Sequence, residues 1–218
     1  MSFSVLRNIK TIVFAIMVLM LPVGTAWARG IVDFFAEAPV EVLPLLDRIT
    51  RLDMLDYFTH GFETSSHNAL EGNSRITEMS ENKIIASLSR DADFELAMFT
   101  MKEDTLLVTI ETVLTPIPDS CVRIFHSDWT PLAPQPQLPT AFDFIPADLR
   151  SHAKKCEMPN MVFMKADFNP ETGMFLFRNT TTSYYTISDR PEGLTLMSDS
   201  LLMTFDGRRF VESKAKKK

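Results

Sequence analysis

Two aspartates and two histidines in the segment 53–67 have the side chains that acid–base or metal chemistry requires. Asp53 and Asp56 stand three residues apart, and His60 and His67 follow them. Carboxylate oxygens and imidazole nitrogens bind Zn²⁺, and bound zinc can activate water for hydrolysis. One hypothesis is therefore a metal-assisted hydrolase that uses Asp53 and holds its metal with Asp56, His60 and His67. Because no two of these residues form a recognised ligand motif, we assign no catalytic residue, metal or cofactor from the sequence.

The same aspartates have a simpler explanation in a short helix over residues 50–58. Its apolar residues recur at helical spacing, and Gly61 just beyond them is typical of a helix end. Thr50 followed three residues later by Asp53 matches the capping box, in which each side chain accepts a bond from a backbone N–H at the helix start. We therefore predict that Asp53 fixes the start of this helix.

Asp56 stands four residues before His60, which is the spacing of two side chains on the same helical face. A pair of this kind on a surface contributes only a few tenths of a kcal/mol. We expect a surface pair here, and this expectation is favoured over the metal site.

The two cysteines, Cys121 and Cys156, could form a disulfide if the protein is exported, or could remain free. A catalytic thiol would need a base nearby, and the neighbouring sequence offers only His152, four residues before Cys156. That spacing alone is a weak indication of catalysis.

Aromatic residues offer a binding hypothesis. Tyr184 and Tyr185 lie in the irregular stretch TTTSYYTISDRPEG, and Trp129 follows a predicted strand. Rigid aromatic side chains are common at recognition surfaces, so these three are the candidate binding residues. The phenylalanines at alternate strand positions are better explained as core.

The N-terminus has the pattern of a secretory signal peptide. Arg7 and Lys10 precede an apolar run over residues 12–23, and the triplet Ala26-Trp27-Ala28 follows. The run is shorter than the roughly 20 residues that a membrane-spanning helix needs, and no later segment is apolar enough to span. We predict cleavage after Ala28 and a periplasmic or secreted protein.

The charge balance argues against nucleic acid as a partner. The chain carries 22 lysines and arginines against 28 aspartates and glutamates, a formal charge of −6. Binding to phosphate backbones needs a basic surface, and the basic residues cluster only in the terminal KAKKK, residues 214–218. We interpret that segment as a solvated tail.

The remaining pattern predicts an α+β protein, with short N-terminal helices packed on a mainly antiparallel sheet. Short alternating segments separated by turn residues indicate an antiparallel meander, and TLLVTIETV alternates so that one sheet face should be wet and the other buried. Five prolines within 17 residues indicate an extended connector. We expect two lobes that each run from helix to strands: a signal peptide (1–28), a first lobe (29–130), the connector (131–146), a second lobe (147–213) and the tail (214–218).

Three stretches resemble a family of exported Bacteroidales proteins catalogued as domain of unknown function 3256. They are PLL…RLDMLDYF, TIETVLTPIPDSCVRIFHSDWTPL and LLMTFDGRRFV, and the resemblance covers most of the chain after the signal segment. This sequence has Phe125-His126 where the family leads us to expect Phe-Tyr, so no role for that ring is transferred. The resemblance implies an extracytoplasmic α+β protein and supplies no activity.

We therefore expect a non-enzymatic module that binds a protein or an envelope component through one sheet face or through the loop near Tyr184. The metal-assisted hydrolase is one alternative. A structural envelope component without pocket or patch is the other.

Overall fold

The structure is a computed structural model, and it describes residues 29–213. The predicted signal peptide with its cleavage after Ala28 lies outside the described residues, and so does the predicted basic tail at 214–218. None of the helices within residues 29–213 has the length and apolar composition that a transmembrane helix requires.

The helices differ in part from the prediction. They are α1 (Ile31–Ala36), α2 (Arg48–Thr59) and the single turn α3 (Arg150–Ala153). The short stretch GIVDFFAEA reads from the sequence as a loose segment, but it forms helix α1. The helix forms because Phe34 and Phe35 anchor it in the core and Asp33 accepts a bond from the N–H of Gly30. Pro39 and Pro44 are each tolerable in a first helical turn, and the stretch PVEVLPLL therefore predicts a short helix that ends near Asp47. This prediction is wrong: the stretch is a series of turns, and Pro44 has no N–H to extend a helix.

Six antiparallel strands follow in a meander, as predicted, and they are neighbours in the order of the sequence. The strands are β1 (Ser66–His67), β2 (Asn73–Met79), β3 (Lys83–Ser89), β4 (Ala92–Met101), β5 (Asp104–Val113) and β6 (Asp119–His126). The sequence changes from helical to strand spacing at Ile76, so this pattern predicts neither β1 nor the first three residues of β2. Both strands have few apolar residues, so alternation is weak there.

A second antiparallel sheet contains four strands in the order β10-β9-β8-β7. The strands are β7 (Met164–Asn169), β8 (Met174–Asn179), β9 (Ser200–Phe205) and β10 (Phe210–Glu212). All four coincide with segments whose apolar and aromatic residues predict strands: MVFMKADF, GMFLFRNTT, SLLMTF and RRFVE. The stretch NPETG after β7 has the proline and glycine that predict a hairpin turn, and Gly173 there has φ +66°.

Residues 106–110 of β5 are buried on both faces of the six-stranded sheet, so the expectation that β5 has one wet face is wrong. Leu107 packs with the N-terminal helices, whereas Leu106 and Val108 pack with the four-stranded sheet. Even Thr109, read as solvent-facing, is only 1% exposed. The polar residues in this strand therefore reflect layers on both sides of the sheet and do not mark a free surface.

The proline-rich connector covers the outer edge of β6. The side chain of Gln135 accepts a bond from the N–H of Ile124 (2.9 Å) and donates to its carbonyl oxygen (2.7 Å), as a neighbouring strand would. Phe144 and Ile145 are buried between the two sheets. The division into two lobes stays a prediction, and the buried cluster between the sheets contains residues from both segments.

Candidate functional site

Helix α2 begins earlier than predicted, and Asp53 does not cap it. The cap is Asp47, whose carboxylate accepts a bond of 2.7 Å from the N–H of Thr50. This bond lowers the pKa of the Asp47 carboxyl. Thr50 therefore sits in the first turn, and Asp53 is an exposed residue inside the helix. Both Asp47 and Thr50 are residues that favour caps, and sequence alone did not separate them.

The pair formed by Asp56 and His60 is confirmed, with His60 Nδ1 3.1 Å from Asp56 Oδ1 on the helix surface. The metal site with His67 is not formed. Within residues 29–213, three potential ligand side chains come within 4.8 Å of one another only elsewhere, at His152, Cys156 and Glu192. His67 lies in the short edge strand β1.

The end of α2 forms a tight turn that borders a pocket. Gly61 has φ +70°, as a glycine stop requires. Its N–H donates to the carbonyl of Phe58, and the N–H of Phe62 donates to the carbonyl of Tyr57 (2.8 Å), which is the Schellman pattern. The turn folds Phe62 back over the last turn of the helix, where its ring meets Tyr57 edge-on at 6.4 Å.

The segment after this turn separates from the sheet and leaves a pocket. Strand β1 pairs with β2 at Ser66 opposite Ser74. Continuing this antiparallel register would place Thr64 opposite Ile76, but the described pairing stops at Ser66 and Ser74. The gap between segment 62–64 and residues 75–77 of β2 is an opening of about 480 Å³, which we call the α2–β2 pocket.

The α2–β2 pocket combines an apolar floor with a polar rim. Phe62 is 59% exposed at the mouth of the pocket. Arg75 lies on β2 just beyond the end of its pairing with β1. Within the described residues, no carboxylate lies within ion-pair distance of Arg75. The volume is in the range of small-molecule and side-chain binding sites. The lining residues are Met54, Tyr57, Phe58, Gly61, Phe62, Glu63, Thr64, Arg75, Ile76 and Thr77.

A buried ionic cluster joins the two sheets. Lys83 Nζ on β3 lies 3.0 Å from Glu95 Oε1 on β4 and 2.8 Å from Asp167 Oδ1 on β7. The ammonium also donates to the carbonyl of Phe168 (2.8 Å), whose N–H donates to Glu95 (3.2 Å). The bonds that Lys83 and Glu95 make to Asp167 and Phe168 cross from one sheet to the other.

Burial governs the charges in this cluster. Removal from water raises the pKa of Glu95 to about 7, against the opposing attraction of Lys83. The two carboxylates overcome the desolvation of Lys83 and raise its pKa above the ordinary value. A carboxyl group that titrates near neutrality beside a cavity of about 270 Å³ resembles an acid–base catalyst. Its side-chain oxygen, however, is bonded to Lys83 and to the N–H of Phe168, which is what a structural link between the sheets requires.

The three aromatic residues predicted to bind a partner differ in exposure. Tyr184 is 47% exposed and packs against Phe163 and Tyr185, with ring centroids at 5.2 and 5.1 Å. Tyr185 is partly buried against the core between the sheets. Trp129 is only 9% exposed and packs edge-on against Phe125, so its assignment as a binding residue is wrong. The Trp129 ring belongs to the buried cluster formed by the N-terminal helices and the six-stranded sheet.

Cys121 and Cys156 are both free thiols, so the disulfide considered above is not formed. Cys121 lies exposed on β6, whereas Cys156 follows α3. Burial and the nearby carboxylate of Glu192 raise the pKa of Cys156. A raised pKa leaves the thiol protonated, which is unfavourable for a nucleophile.

Comparison with known proteins supports the fold and assigns no activity. The model of a family described as "Protein of unknown function (DUF3256)" matches residues 25–210. A domain of an uncharacterized protein from Porphyromonas gingivalis W83 has a similar solved structure, with a TM-score of 0.67 and 20% identity over 85% of this chain and 99% of that one. No curated protein matches the sequence.

Proposed function

Since the chain belongs to the DUF3256 family of proteins of unknown function, we propose from the geometry of the α2–β2 pocket that it is a non-enzymatic binding module. Its partner is an extended peptide segment of an envelope or secreted protein. The observation that carries this proposal is the early end of the pairing between β1 and β2, which leaves Arg75–Thr77 of β2 beside an aromatic pocket.

An extended peptide fits this place for two reasons. A strand edge without a neighbour offers backbone N–H and C=O groups, and a peptide that pairs with such an edge gains main-chain hydrogen bonds. Alternate side chains of the peptide then point to one side, where the pocket can accept one apolar side chain between Phe62 and Ile76. Arg75 supplies a cation for a peptide carbonyl or carboxylate.

The residues of the rival hydrolase do not support catalysis. Asp53 and the pair of Asp56 and His60 are exposed on α2. Catalytic groups that convert substrate are expected to converge on a cavity, and the lining of the α2–β2 pocket includes none of these three residues. The structural envelope component remains the other alternative, and it would need no open pocket.

We also propose that the module works outside the cytoplasm, on the basis of the N-terminal pattern described above. Cleavage after Ala28 would leave Arg29 as the first residue. Mass spectrometry of the protein isolated from periplasm or medium of its host should therefore identify an N-terminal peptide that begins at Arg29. Recovery of the uncleaved chain from the cytoplasm alone would contradict export.

The binding proposal is tested with peptides selected on the purified protein from a random-sequence display library. The dissociation constant of the selected peptides is then measured by calorimetry for the native protein and for Phe62→Ser. Loss of the apolar wall should weaken binding about 10-fold or more, as truncation of a central anchor does. The matched control is Phe142→Ser, which removes a ring that is 39% exposed in the connector and should leave binding unchanged.

A third variant, Tyr184→Ser, separates the pocket from the aromatic loop. Peptides that lose affinity with Tyr184→Ser and keep it with Phe62→Ser would place binding at the loop and contradict the assignment of the pocket. If the selection yields no specific peptide, the proposal that the protein is a binding module is contradicted.

A further inference from the structure

Three side chains with different ligand atoms meet at the end of α3. His152 lies in α3, Cys156 lies three residues beyond its end, and Glu192 begins a 3₁₀ turn over Glu192–Leu196. The imidazole nitrogen, the thiol sulfur and the carboxylate oxygen all lie within 4.8 Å of one another. None of the three residues lines the α2–β2 pocket, so this cluster is independent of the proposed peptide site.

The two segments that carry these residues are held together by the backbone. The N–H of Gly193 donates to the carbonyl of Glu157 at 2.8 Å. A Cβ atom at position 193 would stand 2.3 Å from the sulfur of Met158 and 2.9 Å from the carbonyl oxygen of Glu157. Only glycine permits this approach, and the approach sets Glu192 beside Cys156.

We propose that His152, Cys156 and Glu192 form a zinc-binding site. One sulfur, one nitrogen and one oxygen are the atoms that Zn²⁺ accepts, and three protein ligands leave the fourth tetrahedral position for water. From usual zinc bond lengths, ligand atoms around tetrahedral zinc are about 3.4–3.7 Å apart. Since the ligand atoms all lie within 4.8 Å, the side chains need to approach one another by at most about 1.4 Å, and both His152 and Glu192 are exposed. On binding, the Cys156 thiol releases its proton to solvent and the thiolate bonds the metal.

A cation at this place would also cross-link the chain. It would tie the turn after α3 to the 3₁₀ turn that precedes β9, two segments that are far apart in sequence. The expected consequence is that zinc raises the thermal midpoint of unfolding of the native protein, because a ligand that binds only the folded state stabilises it.

The test uses Co²⁺ as a spectroscopic substitute for zinc in the purified, reduced protein. We expect a thiolate-to-cobalt charge-transfer band that saturates at one equivalent and disappears when Zn²⁺ is added. Cys156→Ser should abolish the band. Cys121→Ser is the matched control, because it removes the other free thiol, on β6, and should leave the band intact.

Two further variants test whether His152 and Glu192 are zinc ligands. His152→Ala and Glu192→Gln should each weaken zinc binding, measured by competition with a chelating dye, by more than about 100-fold, since even outer-shell changes cost 10–100-fold. The assignment would be overturned if the cobalt band survives Cys156→Ser or vanishes with Cys121→Ser. It would also be overturned if neither His152→Ala nor Glu192→Gln changes the affinity for zinc. A native protein that shows no band would overturn it as well.

Discussion

Replacement of Lys83 by methionine is expected to destabilise the protein by about 3–5 kcal/mol at pH 8, because it leaves a buried carboxylate without its cation. Lys83 holds Glu95 and Asp167 together and also donates to the carbonyl of Phe168. Chemical denaturation of the native protein and of Lys83→Met at several pH values measures this difference in the free energy of unfolding.

The loss of stability caused by Lys83→Met should be larger at high pH than at low pH. Burial raises the pKa of Glu95 from 4.5 to about 7, so the folded state holds a proton that the unfolded state loses, and stability falls as pH rises through this interval. Without Lys83 the attraction that opposes burial is lost, and the fall should extend to higher pH. The variant should therefore lose less stability at pH 5 than at pH 8.

Lys165→Met is the matched control, since Lys165 lines the same cavity from β7 and is not in the described ion pairs. Its stability should stay within about 0.5 kcal/mol of the native protein. A Lys83→Met variant as stable as this control at pH 8 would mean that the cluster does not join the sheets.

Truncation of Phe168 to alanine should cost about 3–5 kcal/mol, because its ring fills the space between the two sheets. The residue is fully buried, and its ring lies 5.1 Å from Phe99 of β4 and 4.3 Å from Phe175 of β8. If the sheets share one core, the loss should shift a single unfolding transition that near-UV and far-UV circular dichroism report together.

Phe142→Ala provides the comparison for this prediction, because that ring is 39% exposed and its removal should cost far less. Two separate transitions, of which Phe168→Ala moves only one, would instead favour two lobes that unfold independently.

Strands with clear alternation were predictable from the sequence, and so was the α+β class. The segments β3 to β10 carry β-branched and aromatic residues between obvious turns, so their local pattern and their final structure agree. The stop at Gly61 was predictable for a similar reason, because a left-handed position at a helix end selects glycine.

The predictions that were wrong concern residues whose environment is set by tertiary packing, which the local sequence does not encode. Thr109 looks like a surface residue in a strand with one wet face, and only the packing of helices and of a second sheet on opposite sides buries it. Trp129 follows a strand and looked free to bind, but its ring turns inward onto Phe125. The helix cap was ambiguous because Asp47 and Thr50 both suit the position.

The candidate site was the least predictable part. Phe62 follows a glycine stop, a position where an apolar residue usually contacts the helix, and this signal was present but not used. Arg75 becomes informative only when the segment before β1, residues 62–64, is seen to separate from β2. Glu95 lies between Phe94 and Leu96 in a strand, which marks a buried charge. Its cation Lys83, however, also bonds Asp167, which is 84 residues beyond Lys83 and could not be identified from spacing.

Hydrogen exchange with and without a selected peptide tests the central claim most directly. If the peptide adds to the edge of β2 in the α2–β2 pocket, amide protection should rise in residues 62–64 and 75–77, and the loop at 181–187 should not change. Protection confined to that loop, with the edge of β2 unaffected, would contradict the account.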